Sequence, residues 1–128
     1  MGRCVVVSVA FVALIIAGCT GTTRRSPAAD RNVITAEEMT TLENVSAYEA
    51  VQRLRPHMLQ ARGATSLSDP SASYPLVYVD GMRRGGIAEL RGIPSSLVER
   101  IEFISPADAT TRWGTGHVGG VIAVTTRS

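Results

Sequence analysis

The segment Leu76-Val77-Tyr78-Val79 is apolar at every position, bounded by Pro75 and by Asp80-Gly81. A strand without alternation has to be covered on both faces, so the chain is committed to a sheet with a layer on each side. Asp80 and Gly81 tolerate positive φ and supply the chemistry of a tight turn, which makes Met82 to Arg84 a short return strand. Val98 to Ile104 alternates instead, with Ile101 and Phe103 on one face and Arg100 and Glu102 on the other. Val121 to Thr126 reads as a final buried strand.

Helix starts are written as plainly. Thr35-Ala36-Glu37-Glu38 and Ser46-Ala47-Tyr48-Glu49 each spell a capping box, in which hydroxyl and carboxylate satisfy two orphan backbone N–H groups reciprocally. In the second helix Ala47, Val51, Leu54 and Met58 share a face, and Pro56 forbids it to run far past Arg55. Asn32 to Thr35 suits a short strand, and Ile87 to Ile93 one helical turn before Pro94. Ser105-Pro106-Ala107-Asp108 combines an N-cap, a proline at the first helical position and an acid in the first turn, for a helix ending at Gly114. Arg62 to Pro75, rich in Gly, Ser, Asp, Pro and Ala, reads as a loop. The expected fold is α+β, a small mixed β-sheet with short helices, whose closing strand–helix–strand order favours a C-terminal βαβ unit.

Ahead of these signals, Arg3 precedes an apolar run from Val5 to Ala17, shorter than the ~20 residues a spanning helix needs. It ends in Ile16-Ala17-Gly18-Cys19, which resembles the bacterial lipobox. Residues 1–18 are therefore expected to be a lipoprotein signal peptide, with Cys19 the lipidated first residue of the mature chain. Arg24-Arg25 follows the apolar run, which excludes a twin-arginine signal. Thr20 rather than Asp after Cys19 favours sorting to the outer membrane. Residues 19–31 lack apolar period and read as a flexible tether, leaving residues 32–128 as one small domain. Cys4 leaves with the leader and Cys19 carries lipid, so no thiol remains for a disulfide, a zinc cluster or a nucleophile.

The net charge is +2 and all 13 cationic side chains are arginine, a balance that points to no nucleic-acid partner. Arg83-Arg84 is expected on a solvated loop. Gly114-Thr115-Gly116-His117-Val118-Gly119 spells a dinucleotide fingerprint, but a helix precedes it and a strand follows, the reverse of what phosphate binding at a helix N-terminus requires. Its glycines instead suit a tight loop needing positive φ. His57 and His117, the only imidazoles, are expected on the surface or in loops, without metal-ligand spacing. No Gly-x-Ser-x-Gly elbow or paired carboxylates suggest a catalyst. No cofactor or metal is expected. The charged face of Glu99, Arg100 and Glu102 is the most interesting polar cluster, against the plain alternative of a solvated sheet face.

Taken in order, Tyr74-Pro-Leu-Val-Tyr-Val-Asp-Gly-Met82, Leu97-Val-Glu-Arg-Ile-Glu-Phe-Ile104 and Trp113-Gly-Thr-Gly-His-Val-Gly-Gly-Val-Ile-Ala-Val-Thr-Thr-Arg127 resemble the plug domain of TonB-dependent outer-membrane receptors, most nearly the SusC-like transporters. The resemblance implies a plug fold. It also implies that Arg100, with Glu102, docks on acidic groups of a barrel wall through charge-assisted hydrogen bonds, and that Asp80, Gly81, Gly114, Gly119 and Gly120 are structural turn residues. The Ile104-Ser105-Pro106 step departs from the family's lysine-containing step, and no recognisable TonB box precedes the domain. The sequence ends where a barrel would begin. The expectation is a lipid-anchored, periplasm-facing, non-catalytic binding module of the outer membrane, docking on a separately encoded β-barrel or another envelope protein and assisting substrate uptake. The alternative is a decayed receptor fragment with a structural envelope role.

Overall fold

A computed structural model of the chain describes residues 31–42, 44–63 and 69–128. The expected signal peptide, Cys19 and all but the last residue of the expected tether lie outside the described residues. Five strands form one sheet in the order β1-β4-β5-β2-β3: β1 Val33–Thr35, β2 Leu76–Val79, β3 Met82–Gly86, β4 Val98–Ile104 and β5 Val121–Thr126. Helices α1 (Ala36–Thr40), α2 (Ala47–Leu54) and α3 (Pro106–Trp113) and several short 3-10 turns connect them. Among the described residues no helix is long and apolar enough to cross a membrane.

Both capping boxes are present. Ser46 Oγ accepts from Glu49 N at 3.3 Å while Glu49 Oε2 accepts from Ser46 N at 3.2 Å, and Thr35 and Glu38 do the same at the start of α1. Ser105 caps α3 by accepting from Asp108 N at 3.2 Å. Asp80 and Gly81 have φ of 49° and 81°, the two positive angles that a two-residue hairpin between right-twisted strands requires.

The central strands bury both faces, and successive side chains divide between two cores. Val77 and Val79 of β2 and Ile122 and Val124 of β5 join Ile101 and Phe103 in the larger core, under Ala50 and Val51 of α2, Met58 and Leu90. Tyr78 of β2 and Val121 of β5 join Ile104 in a smaller core under Ala109 and Trp113 of α3. A fully buried side chain of the size of Ile101 or Ile122 contributes about 1.5–3 kcal/mol.

One expectation about topology needs correction. The order β4-α3-β5 occurs, but β4 and β5 pair antiparallel, with Ile101 opposite Val124, so there is no parallel βαβ crossover. The parallel neighbour of β5 is β2, with Val77 beside Ile122. Eight residues of helix and a glycine-rich loop return the chain beside the strand it just left. The return strand expected over Met82 to Arg84 is present as β3, so Arg83 and Arg84 lie on an edge strand rather than on the solvated loop, both exposed.

Candidate functional site: the open face around Arg100

Helix α3 covers only part of its side of the sheet. Its Ala109 and Trp113 pack over Ile104, Val121, Leu76 and Tyr78. Arg100, Glu102 and Thr125 lie outside that cluster and are exposed or half-buried. The register shifts between Val98 and Arg100, which sets Arg100 beside Thr125 of β5 and Thr35 of β1, and Glu102 between Ala123 and Val33. A bulge of this kind re-aims the side chains that follow it.

Arg100 Nη2 reaches Glu102 Oε2 at 3.3 Å, with the two side chains 41% and 38% exposed. An ion pair this open is worth about 0–1 kcal/mol. The guanidinium Nε is different: it is buried and has no acceptor. Leaving such a donor unpaired costs about 1–3 kcal/mol. Beside it a shallow recess of about 330 Å³ is lined by Val33, Thr35, Ala36, Glu37, Glu99 and Arg100. The guanidinium offers parallel N–H donors at carboxylate spacing, and Glu37, Glu99 and Glu102 already stand around it.

The turn residues occupy defined positions. Asp80 accepts from Thr126 N at 2.9 Å and Thr126 Oγ1 at 2.7 Å, tying the β2–β3 hairpin to the end of β5. Those two bonds, with a smaller effect of Arg84, hold its carboxyl below the ordinary aspartate value. Gly114 ends α3 with φ 86°, and Gly116 and Gly120 have φ of 99° and 84°. Gly119 has no positive φ, contrary to the positive φ expected of the loop's glycines. A Cβ there would stand 2.6 Å from the Ser73 carbonyl oxygen and nearer still to that of Tyr74, so close backbone approach is what excludes a side chain.

The two histidines differ. His57 is half-buried on the 3-10 turn Pro56–Leu59, and its pKa is lowered by burial and then by Arg62, Arg55 and Arg31. His117 lies in the α3–β5 loop, as one arm of the expectation has it, but is buried rather than on the surface, at 6% exposed. Its Nδ1 lies 2.9 Å from the Gly114 carbonyl, which can only accept, so Nδ1 carries the proton and Nε2 accepts from Tyr78 Oη at 2.8 Å. The Trp113 ring lies 4.6 Å from that of Tyr78. This trio bolts the α3–β5 loop to the sheet. Sequence reasoning missed it because Tyr78 and His117 are 39 residues apart and no periodicity relates them. The same holds for Glu38 and Arg55, paired at 2.8 Å, and for Arg62 stacked 4.0 Å from the Phe103 ring centroid. Among the described residues no three His, Cys, Asp or Glu side chains gather as a metal site.

Comparison with known families places this five-stranded domain. Residues 23–121 match the TonB-dependent Receptor Plug Domain; the chain belongs to that family. Among solved structures it is similar to the siderophore receptor PirA from Pseudomonas aeruginosa, at 26% identity over 82% of this chain and TM-score 0.49. It is also similar to the siderophore receptor PirA from Acinetobacter baumannii, at 21% identity over 75% of this chain and TM-score 0.48. The matched regions cover 19% and 17% of those receptors, so the chain corresponds to a small part of each. Plug domains of this family are transport-related components of outer-membrane receptors, not catalysts.

Proposed function

We propose that the domain is a non-catalytic binding module of the bacterial outer membrane, anchored by lipid on Cys19 and facing the periplasm. It docks through Arg100 and Glu102 on a β-barrel or another envelope protein and assists uptake. The observation that carries this reading is the half-exposed Arg100–Glu102 pair on a sheet face that α3 leaves open. An ion pair this exposed contributes little in the free domain, so the guanidinium can exchange Glu102 for a partner's acceptor at small cost. Membership of the plug family supports both the compartment and the kind of partner.

The interaction is directional. A partner carboxylate would take N–H donors from the Nη end of the fork, in place of or beside Glu102. Removing a buried charge-paired group at an interface costs about 2–5 kcal/mol, which is a loss of at least thirtyfold in affinity. The test is affinity capture of the lipidated protein from detergent-solubilised outer membrane, with Arg100→Glu and Arg100→Lys in parallel and mass spectrometry as readout. One barrel or envelope protein should be recovered with the native chain, lost with Arg100→Glu and weakened with Arg100→Lys, because lysine has no fork geometry. Equal recovery with all three would remove Arg100 from the docking face.

A further inference from the structure

Where β4 ends, the fold gathers three arginines from separate parts of the chain around one imidazole. Asn32 O accepts from Phe103 N at 2.7 Å, which brings Arg31 to this end of the strand. Arg62 stacks 4.0 Å from the Phe103 ring centroid and donates from Nη2 to His57 O at 3.0 Å. Arg55 stands two residues before His57, where α2 gives way to the 3-10 turn Pro56–Leu59. The His57 ring donates to the Arg31 carbonyl, and its pKa is lowered by burial and then by Arg62, Arg55 and Arg31, with no carboxylate offsetting them. Arg53, exposed in the last turn of α2, has the same sign. The acid that reaches the group is Glu38, 2.8 Å from Arg55; among the described residues neither Arg31 nor Arg62 forms an ion pair. Asp69 lies in the turn that Arg62 N joins through Ser73 O, but its carboxylate accepts from Ser71 N and Oγ. No guanidinium contributes to its lowered pKa, so it does not neutralise the cluster.

We propose that Arg31, His57 and Arg62, with Arg55 beside them, form a binding site for a phosphoryl group, free or as a monoester. A carboxylate is satisfied by one guanidinium fork, whereas cationic groups converging from three directions suit a tetrahedral oxyanion with several acceptor oxygens and two charges. Arg62 is ordered in advance: its contact with Phe103 fixes the guanidinium plane, and the bond to His57 O uses one of five N–H groups. A side chain already held loses little freedom when a ligand arrives. His57 makes the site proton-linked. One ring nitrogen donates to Arg31 O; the other is an acceptor in the neutral ring and becomes a donor to the ligand on protonation. A bound dianion offsets the arginines that depress the imidazole, so the pKa of His57 rises in the complex. Affinity therefore increases as pH falls through the bound-state pKa and levels off below that of the free protein. An opposite charge close by moves a pKa by about 1–3 units, and His57 is half-buried, so about one unit is expected, equivalent to about tenfold in affinity.

The experiment is proton NMR of the full chain, whose two imidazoles give separate ring signals, titrated over about pH 5 to 8. The probe is inorganic sulfate, which stays a dianion throughout and leaves the imidazole as the group that titrates. Chloride at equal ionic strength is the reference, so that screening of the arginines alone is subtracted. The pKa of His57 is expected to rise by about one unit, while that of His117, bonded to Gly114 O and Tyr78 Oη, stays where it is. Arg31→Gln, at an exposed position, should weaken sulfate about tenfold without touching the core, as should Arg62→Gln if thermal melts show that it folds. His57→Gln should keep sulfate binding but abolish its pH dependence. Inorganic phosphate and glycerol phosphate, compared at fixed pH, distinguish the source: equal affinities assign free phosphate, and tighter binding of the ester assigns a phosphorylated molecule. No difference between sulfate and chloride at His57, equal shifts at both histidines, or unchanged affinity in Arg31→Gln overturns the proposal.

Discussion

Replacing Gly119 by alanine isolates a single physical requirement of this fold. The residue has no left-handed φ, so alanine brings no dihedral strain, yet its Cβ would stand 2.6 Å from Ser73 O and closer to Tyr74 O. A carbon and a carbonyl oxygen settle about 3.3–3.6 Å apart, so the overlap is roughly 0.7 Å or more against backbone, not a side chain that can rotate. The strand that would have to move is the entry to β2, whose Val77 is fully buried. Overpacking a core costs about 1–3 kcal/mol, and a rigid backbone neighbour places this case at about 3 kcal/mol. Gly116 is the control: its φ is 99° but nothing lies within 4 Å of an added Cβ. Dihedral strain of about 1–2 kcal/mol, partly offset by lower unfolded-state entropy, predicts a smaller loss there. At about 4–8 °C per kcal/mol for a domain of this size, Gly119→Ala should melt roughly 12–24 °C below the native protein and Gly116→Ala less than about 10 °C below it. Differential scanning calorimetry decides the matter. Equal shifts, or a larger one for Gly116→Ala, would refute the assignment of Gly119 to close backbone approach.

Asp80 makes stability depend on acid. Its folded pKa lies below the ordinary value of 3.8 because Thr126 donates two hydrogen bonds to the carboxylate. The contribution is therefore present above the unfolded value and lost as pH falls through the folded one. Urea midpoints measured from pH 5 down to pH 2 should fall less steeply in Asp80→Asn, which also tolerates the φ of 49°. Tyr78→Phe removes the donor to His117 Nε2 and leaves it buried and unpaired, at about 1–3 kcal/mol; a lower denaturation midpoint with altered Trp113 fluorescence is expected, and an unchanged midpoint would mean that the bond contributes nothing. Ser46→Ala removes one half of the α2 capping box and should destabilise by about 1 kcal/mol, visible as a melting point roughly 4–8 °C lower.

Local chemistry was legible wherever a few neighbouring residues suffice. The capping boxes at Thr35 and Ser46, the Ser105 cap and the Asp80-Gly81 hairpin depend on groups within three residues of one another. The unbroken apolar run of β2 announced a strand covered on both faces, and two cores cover it. The ordered motifs around Tyr78, Arg100 and Val121 pointed to the plug family that residues 23–121 match. Arg100 was recognisable as a candidate, but its buried Nε was not, because that depends on a register shift between two strands and on where α3 stops.

Helix starts, the hairpin turn and the doubly buried strand follow from backbone hydrogen bonding and burial within short segments, so neighbouring residues are enough to set them. Long-range packing sets the rest: β5 returns antiparallel to β4 and parallel to β2, His117 is buried against Tyr78, and Gly119 lies against the backbone of Ser73 and Tyr74. Each of these joins residues whose separation along the chain carries no local signal, and only the mutual packing of β2, β5 and the α3–β5 loop selects them.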